Sequence, residues 1–252
     1  MLRFKDVSKT FYTARAATQA LKNLNFTVNK GEFLSIIGPS GCGKTTILSL
    51  ICGLIKPTTG EITFSEPNSA VAYMLQHDHL FEWRNILQNV TLGLEIKGLL
   101  NAKTLNETKE LLSRYGLSEF TKHYPHQLSG GMRQRVALIR TIAMNPQILL
   151  LDEPFSALDF QTRLKVCDDV YSIIKKENKT AILVTHDISE AISLSDRILV
   201  LTNRPATLLN IHETHLENIS TPLLRREAPG FSTQFQKLWQ LLNTKEAENE
   251  SN

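Results

Sequence analysis

The sequence predicts an α/β fold: a parallel sheet core covered by helices, an antiparallel β layer ahead of it, and a helical lobe inserted into it. Three stretches carry this prediction. The apolar run EFLSII, the glycine-rich GPSGCGKT at 38–45 and TTILSLICGL, with Ile47, Leu50, Ile51 and Leu54 at helical spacing, read as strand, glycine loop and helix. QILLLDEP at 147–154 is a continuous apolar run of the kind that forms a strand buried on both faces of a parallel sheet. Between 77 and 145 the β-branched runs thin out and helical patterns replace them, which marks the inserted lobe.

At 252 residues the chain is long enough for one large domain with an inserted lobe and too short for tandem domains. Lys plus Arg number 28 against 25 acidic residues, so the net charge of +3 gives no polyelectrolyte footprint and no nucleic-acid partner is expected. Cys42, Cys52 and Cys167 lack metal-type spacing, and a disulfide at Cys42 would obstruct the glycine loop, so a reducing compartment is expected. Apolar stretches such as ILSLICGLI from 47 fall short of the roughly 20 residues of a membrane span, and MLRFKDVSK has no uninterrupted apolar core. The expectation is a soluble cytosolic chain that serves a membrane only through another subunit.

Taken in order, LRFKDV and LKNLNFTV alternate apolar and polar residues as half-buried antiparallel strands do, with TARAATQ between them. Phe11 and Tyr12 end the first strand, where either ring could stack on a purine or pack in the core. In GPSGCGKT the glycines let backbone N–H groups wrap a phosphate chain, Lys44 brings a point charge to it, and Thr45 offers a hydroxyl to Mg²⁺. The helix that starts there aims its positive end at the anion. Gly38, Pro39, Ser40, Gly41, Cys42, Gly43, Lys44, Thr45 and Thr46 are therefore candidate nucleotide-binding residues.

KPTTGEITF reads as a turn and a strand, SEPNSA as a break, and VAYMLQ as a strand ending at Gln76, whose amide oxygen can bind a metal or water. The lobe contains helices over ILQNVTLGLEI and over AKTLNETKELLSRYGL, the second closing at Gly116. His77, His79, His123 and His126 lie in polar settings that suit solvated surface better than a metal cage. LSGGMRQRVALIRTIAMNP starts a helix at Ser129, Gly130 and Gly131, either an anion site or an ordinary serine cap. At the tip of QILLLDEP, Asp152 can hold Mg²⁺ and Glu153 can take a proton from an attacking water. FSALD precedes a charged helix over 161–176, TAILVTHD sets His186 at another strand tip, and RILVLT ends near Asn203, where RPATL leads to the tail. Phe231, Phe235, Leu238, Trp239 and Leu242 share a helical face suited to packing on the body, and KEAENESN is expected to fray. HETH at 212–215 has the wrong spacing for a helical zinc motif.

Taken together these motifs resemble the ATP-binding cassette (ABC) ATPases: GPSGCGKT resembles Walker A, Gln76 the Q-loop, LSGG the signature, ILLLDEP Walker B, SALD the D-loop and His186 the switch histidine. The resemblance implies a P-loop NTPase with a RecA-like parallel core, Walker A in 1–76, the signature lobe in 77–145, Walker B and the switch histidine in 146–205, and a tail over 206–252. It implies ATP and Mg²⁺ as ligands, Glu153, His186 and Lys44 as catalytic residues, and Thr45, Gln76 and Asp152 at the metal. Phe11 is the preferred base-stacking ring, because the family's aromatic follows a stretch like Val7 to Thr10. It also implies a head-to-tail homodimer in which Ser129 of one chain reaches the nucleotide held by the other.

HDHLFEWRNILQNVTLGLEIKG and HYPHQLSGGMRQRVALIR look most like importer ATPases for nitrate, sulfonates and taurine. That implies a separate membrane permease, an extracytoplasmic solute-binding protein and a place on the cytoplasmic face of the membrane. Met132 for Gln, Glu82 for Pro before Trp83, and IRTIA for ARALA depart from the family pattern. Leu80, Phe81 and Trp83 belong either to the lobe's core or to a groove for a permease helix. The alternative function is a non-transport single-cassette ATPase such as a soluble assembly scaffold.

Overall fold

Two strands open the chain, β1 (Leu2–Tyr12) and β2 (Ala17–Val28), paired antiparallel, and β4 (Thr59–Phe64) joins the other edge of β1. The computed structural model describes residues 1–66, 70–216 and 219–249. In this three-stranded layer Leu2, Phe4, Val7, Leu24 and Val28 turn inward, and Phe4 stacks on Phe26 with ring centroids 4.3 Å apart. Between the layer and the main sheet lies a core that includes Ile36, Ile47, Leu48, Leu150 and Ile182.

The main sheet is built on β3 (Phe33–Ile37), β5 (Val71–Met74), β6 (Ile148–Asp152), β7 (Thr180–Val184), β8 (Arg197–Leu201) and β9 (Leu208–Glu213), in the order β5-β6-β7-β3-β8-β9. β5 to β8 run parallel with β3, and β9 closes the edge antiparallel to β8. Every residue of β3, β6 and β7 is buried, as continuous apolar runs require when both faces are covered. The C-terminal ends of the parallel strands therefore gather at one edge, the position where open α/β sheets bind ligands.

Helix α1 (Lys44–Ile51) follows β3. In the lobe, α2 (Ile86–Ile96) and α3 (Ala102–Arg114) start at Asn85 and Asn101, each in a reciprocal capping box. Helix α4 (Gly130–Ala143) serves two cores. Val136 and Ile139 pack with Leu80, Ile86, Val90 and Leu112 of the lobe, whereas Ala137, Leu138 and Ile142 pack with Phe33 and Leu149 of the sheet. Gly131 lies so close to α5 (Phe160–Lys176) that a Cβ there would meet Thr162 Cγ2 at 3.0 Å and Val166 Cγ2 at 3.1 Å. After β7 come α6 (Ile188–Leu194), then α7 (Pro222–Glu227) and α8 (Phe231–Asn249).

Some details differ from the sequence reading. β5 ends at Met74, so Gln76 stands two residues past the strand on an exposed segment. Strand β9 and helix α7 occupy what the sequence presents as connector and tail. β9 hides its alternation because His212 takes an inward position, where its Nε2 meets Gln234 Oε1 at 2.9 Å. On α8, Leu238 is buried and Phe231, Phe235 and Leu242 pack around it, but Trp239 is 54% exposed. One residue further round the helix, its indole stacks on Phe235 four residues back, 6.2 Å between centroids, rather than on the body. Helix α8 continues through 245–249, where the sequence suggests fraying, because KEAE at 245–248 consists of helix-forming residues. The middle of SEPNSA, residues 67–69, and the last three residues, 250–252, lie outside the described residues.

Candidate functional site

The phosphate loop runs from the tip of β3 into α1. Its backbone is set by glycine: Gly43 sits at φ 125°, and a Cβ there would fall 2.8 Å from Leu21 Cδ2. No side chain caps α1, whose N-cap is Gly43, so its first N–H groups are free to serve an anion. Lys44 is 7% exposed, and its Nζ donates to Gly38 O at 2.8 Å and Pro39 O at 2.9 Å, which holds the ammonium inside the loop. Cys42 is buried beside it; burial pushes its thiol up, against the opposing pull of the Lys44 charge.

Beside the loop, β6 delivers two carboxylates with separate partners. Asp152 Oδ1 accepts from Thr45 Oγ1 at 3.3 Å and Oδ2 accepts from Tyr73 Oη at 2.7 Å. Burial is the largest influence on Asp152 and raises its carboxyl above the ordinary aspartate value, while the two hydroxyls draw it back down. Glu153 adopts φ 44°, the left-handed region that a bulky residue rarely occupies, and this turns its side chain off the line of the strand. Glu153 Oε2 then meets His186 Nδ1 at 3.2 Å and accepts from Gln76 Nε2 at 3.3 Å. The ends of β5, β6 and β7 and the start of α1 thus bring Lys44, Thr45, Gln76, Asp152, Glu153 and His186 into one cluster.

The donor set suits Mg²⁺. The Thr45 hydroxyl, the Asp152 carboxylate and the Gln76 amide oxygen are hard oxygen ligands, and a desolvated Asp152 gains from a cation beside it. Among the described residues no group of three or more His, Cys, Asp or Glu could cage a metal. Few protein ligands is what Mg²⁺ uses where phosphates and water complete its shell. Of the lobe histidines, His77, His79 and His126 are exposed and His123 is half-buried beside Phe120.

Ser129, Gly130 and Gly131 stand elsewhere. Ser129 Oγ accepts from Met132 N at 3.3 Å as the N-cap of α4, and Ser129 and Gly131 line a shallow pocket with Arg135, Thr162 and Asp169, none of them in the phosphate-loop cluster. Phe11 is 41% exposed with Lys9 Nζ 5.2 Å from its ring centroid, and Tyr12 is 73% exposed, so both rings are available at the end of β1. Leu80, Phe81 and Trp83 separate: Leu80 is in the lobe core, whereas Trp83 is 73% exposed and pairs with the half-buried Phe81, centroids 4.7 Å apart. The buried Asn89 side chain fixes this turn, accepting from Phe81 N and donating to the carbonyls of Phe81, Arg84 and Asn85.

Two contacts escaped sequence reading. Tyr73 reaches Asp152 from a neighbouring strand whose register pairs it with Leu150, and Gln134 of α4 donates to Pro154 O, just past the acidic pair. Neither has a local signal, because each depends on strand order or on how α4 seats against the sheet. The family departures have physical partners here. Glu82 pairs with Arg133 at 3.3 Å, Met132 packs against the lobe core, and Ile139 and Ile142 fill the lobe and sheet cores.

A parallel sheet with a glycine loop and helix start at one strand tip, and an Asp–Glu pair at the next tip but one, defines a P-loop nucleotide-binding ATPase. Comparison with known proteins narrows this. The model of the family described as ABC transporter matches residues 21–156. The uncharacterized ABC transporter ATP-binding protein YtlC of Bacillus subtilis is 46% identical over 251 residues, 97% of this chain and 96% of that protein. The nitrate import ATP-binding protein NrtD of Synechocystis is 38% identical over 212 residues, 82% of this chain and 80% of that one. Among solved structures, the dimeric post-hydrolysis state of the ATP-binding cassette MJ0796 bound to ADP and Pi superposes with a TM-score of 0.71 at 33% identity, covering 85% of this chain and 99% of that one. The chain belongs to the ABC transporter family and is one of its ATP-binding, ATP-hydrolysing subunits. No described helix is long and apolar enough to cross a membrane.

Proposed function

We propose that this chain powers an importer for a small solute of the nitrate, sulfonate or taurine class, acting as a head-to-tail homodimer on the cytoplasmic face of a membrane beneath a separate permease. An extracytoplasmic solute-binding protein would deliver the solute. The observation that carries the reading is the division of the site: the phosphate loop, Asp152, Glu153 and His186 form one cluster, and the Ser129 helix start faces a separate surface. A second copy that presents its Ser129, Gly130 and Gly131 to the first copy's nucleotide completes both sites at once. The MJ0796 structure is dimeric, which supports this arrangement.

Within each site the glycine loop and Lys44 would hold the phosphates, and Thr45, Asp152 and Gln76 would hold Mg²⁺, which would neutralise phosphate charge. Phe11 stacks on the base. Glu153 accepts the proton of the attacking water, and His186 steadies that carboxylate and the charge on the transferring phosphoryl group. The nucleotide core comprises 1–76 and 146–205, the signature lobe 77–145 and the C-terminal segment 206–252, whose first strand, β9, extends the sheet of the core. Likeness to NrtD and the exposed Trp83 beside the half-buried Phe81 support the importer reading, since rings presented by a rigid turn suit a groove for a permease helix.

The test replaces the acid at the tip of β6. Glu153→Gln keeps the shape of the side chain but cannot take a proton. Size-exclusion chromatography with ATP and Mg²⁺ should show a stable dimer that hydrolyses ATP at least about a hundredfold more slowly than the parent. A monomer with parental turnover would refute both the base assignment and the shared site.

A further inference from the structure

The loop 202–207 joins β8 to β9 and is more heavily stitched than a connector needs. Thr202 N donates to Thr207 O at 3.0 Å, Thr207 N donates to Thr202 Oγ1 at 2.9 Å, and the two hydroxyls lie 3.0 Å apart. Ala206 N donates to Ala20 O and Lys22 N donates to Ala206 O, both at 2.9 Å. These bonds fix the loop to the part of β2 that also crowds the phosphate loop, where Gly43 abuts Leu21 and Ala20. At the other end of the glycine loop, a Cβ on Gly38 would meet Leu201 Cβ at 3.0 Å.

The tip of this loop carries Arg204, an exposed side chain with a defined target. Its Nη2 and Nε both donate to Gly41 O, at 2.6 Å and 3.2 Å. Gly41 C=O and Cys42 N–H belong to one peptide unit, and that N–H makes only a long turn bond, 3.3 Å to Pro39 O. A cation on the carbonyl polarises the peptide and makes its N–H a stronger donor. It also neutralises the negative end of a dipole that would otherwise face outward from an anion site. The Arg204 charge is felt inside the loop, where it opposes the burial that pushes the Cys42 thiol up.

We propose that Arg204 is a positioning residue of the nucleotide site: bonded to Gly41 O, its guanidinium presets the Gly41–Cys42 peptide of the phosphate loop and raises the affinity for the polyphosphate chain. This rests on the reading that residues 38–45 hold the nucleotide. Arg204 acts through the loop and touches no reacting atom, so it governs binding and not the chemical step.

The test uses the full chain with Arg204→Ala, Arg204→Lys and Lys44→Ala, reading ATP hydrolysis kinetics, the binding of ATP and of inorganic tripolyphosphate, and thermal melting. Arg204→Ala should raise the KM and Kd for ATP about tenfold, the scale of one charge-assisted hydrogen bond, with kcat within about twofold. Tripolyphosphate should weaken by the same factor, because the effect is on phosphate. Arg204→Lys should recover only part, since an ammonium lacks the two-pronged donor. If Lys44→Ala abolishes hydrolysis while Arg204→Ala leaves KM and both Kd values unchanged, the inference is overturned and the site reading survives. If Lys44→Ala hydrolyses ATP normally, the site reading falls and takes the inference with it. A fall in melting temperature and kcat at constant KM would overturn the inference by showing that Arg204 only braces the fold.

Discussion

Tyr73→Phe removes one hydroxyl and leaves the ring and its packing, so whatever it changes passes through Asp152. The bond it deletes is 2.7 Å long and ends on a carboxylate that is 7% exposed, so water does not readily replace it. A hydrogen bond to a charged group of this kind is worth about 1.5–3 kcal/mol. In a chain of this size that corresponds to a fall in melting temperature of about 3–12 °C at pH 7. The effect should depend on pH. Burial already holds the Asp152 carboxyl above the ordinary aspartate value, so the native state keeps a proton that the unfolded chain has lost. Stability therefore falls as pH rises from the unfolded value through the folded one, then levels off. Without the hydroxyl the folded value climbs further, and the fall extends over a wider window. Parent and variant should differ least at acid pH below the ordinary aspartate value, where Asp152 is protonated in both, and most at neutral pH. A carboxylate that is harder to ionise also binds a cation less well, so the Mg²⁺ concentration that half-saturates hydrolysis should rise. Melting curves across this pH range and a Mg²⁺ titration of activity test this. A variant that melts within about 1 °C of the parent at pH 7 would refute the argument, as would a gap that does not narrow toward acid pH.

His186→Ala should slow hydrolysis by about a hundredfold or less while ATP binding persists, because the imidazole steadies Glu153 and does not replace it; steady-state turnover and nucleotide binding measure the two effects separately. Changing Phe81 and Trp83 together to Ala should leave the isolated subunit an active ATPase with little change in melting temperature, since Trp83 is 73% exposed, yet abolish co-purification with its permease. Leu80→Ala is the contrasting variant: Leu80 is in the lobe core, so it should cost about 2–4 kcal/mol and lower the melting temperature. A large loss of stability in the Phe81 and Trp83 variant would place those rings in the fold and remove the reason to propose docking there.

The chemistry-bearing strand tips were legible because their signals are local. GPSGCGKT, LLLDEP and LVTHD each place a polar group directly after an apolar run, and burial of the run then leaves the polar group at the sheet's edge. The start of α4 was legible from Ser129 in the same way, since a cap is decided within one turn, whereas the capping boxes of α2 and α3 at Asn85 and Asn101 emerge only in the structure. What the sequence concealed depends on relations between distant segments. The Tyr73–Asp152 bond needs β5 beside β6, and β9 needed a buried histidine to be recognised as an inward position. Leu80, Phe81 and Trp83 look alike in sequence; their division into core and surface follows from the turn that Asn89 holds.

Asn89 is not the only clamp in this region, and a second one links the segment after Gln76 to the signature helix. Arg133, one turn into α4, donates from Nε to Asp78 Oδ2 at 2.9 Å and from Nη2 to Asp78 Oδ1 at 3.2 Å. Two turns further along, Arg140 donates to the carbonyls of Asp78 and His79 at 2.6 Å and 2.8 Å. Burial alone would raise the Asp78 carboxyl, but the bonds from Arg133 and from the Leu80 N–H outweigh it and hold the group below its ordinary value, so the clamp stays charged at neutral pH. Segment 78–80 is therefore tied to α4 at two points two turns apart, side chain to side chain at Arg133 and side chain to backbone at Arg140. Gln76, two residues before the clamp, donates to Glu153, and Ser129 caps the clamped helix. The acid site is thus linked through segment 76–80 to the helix that Ser129 caps, and the Phe81–Trp83 pair directly follows that segment.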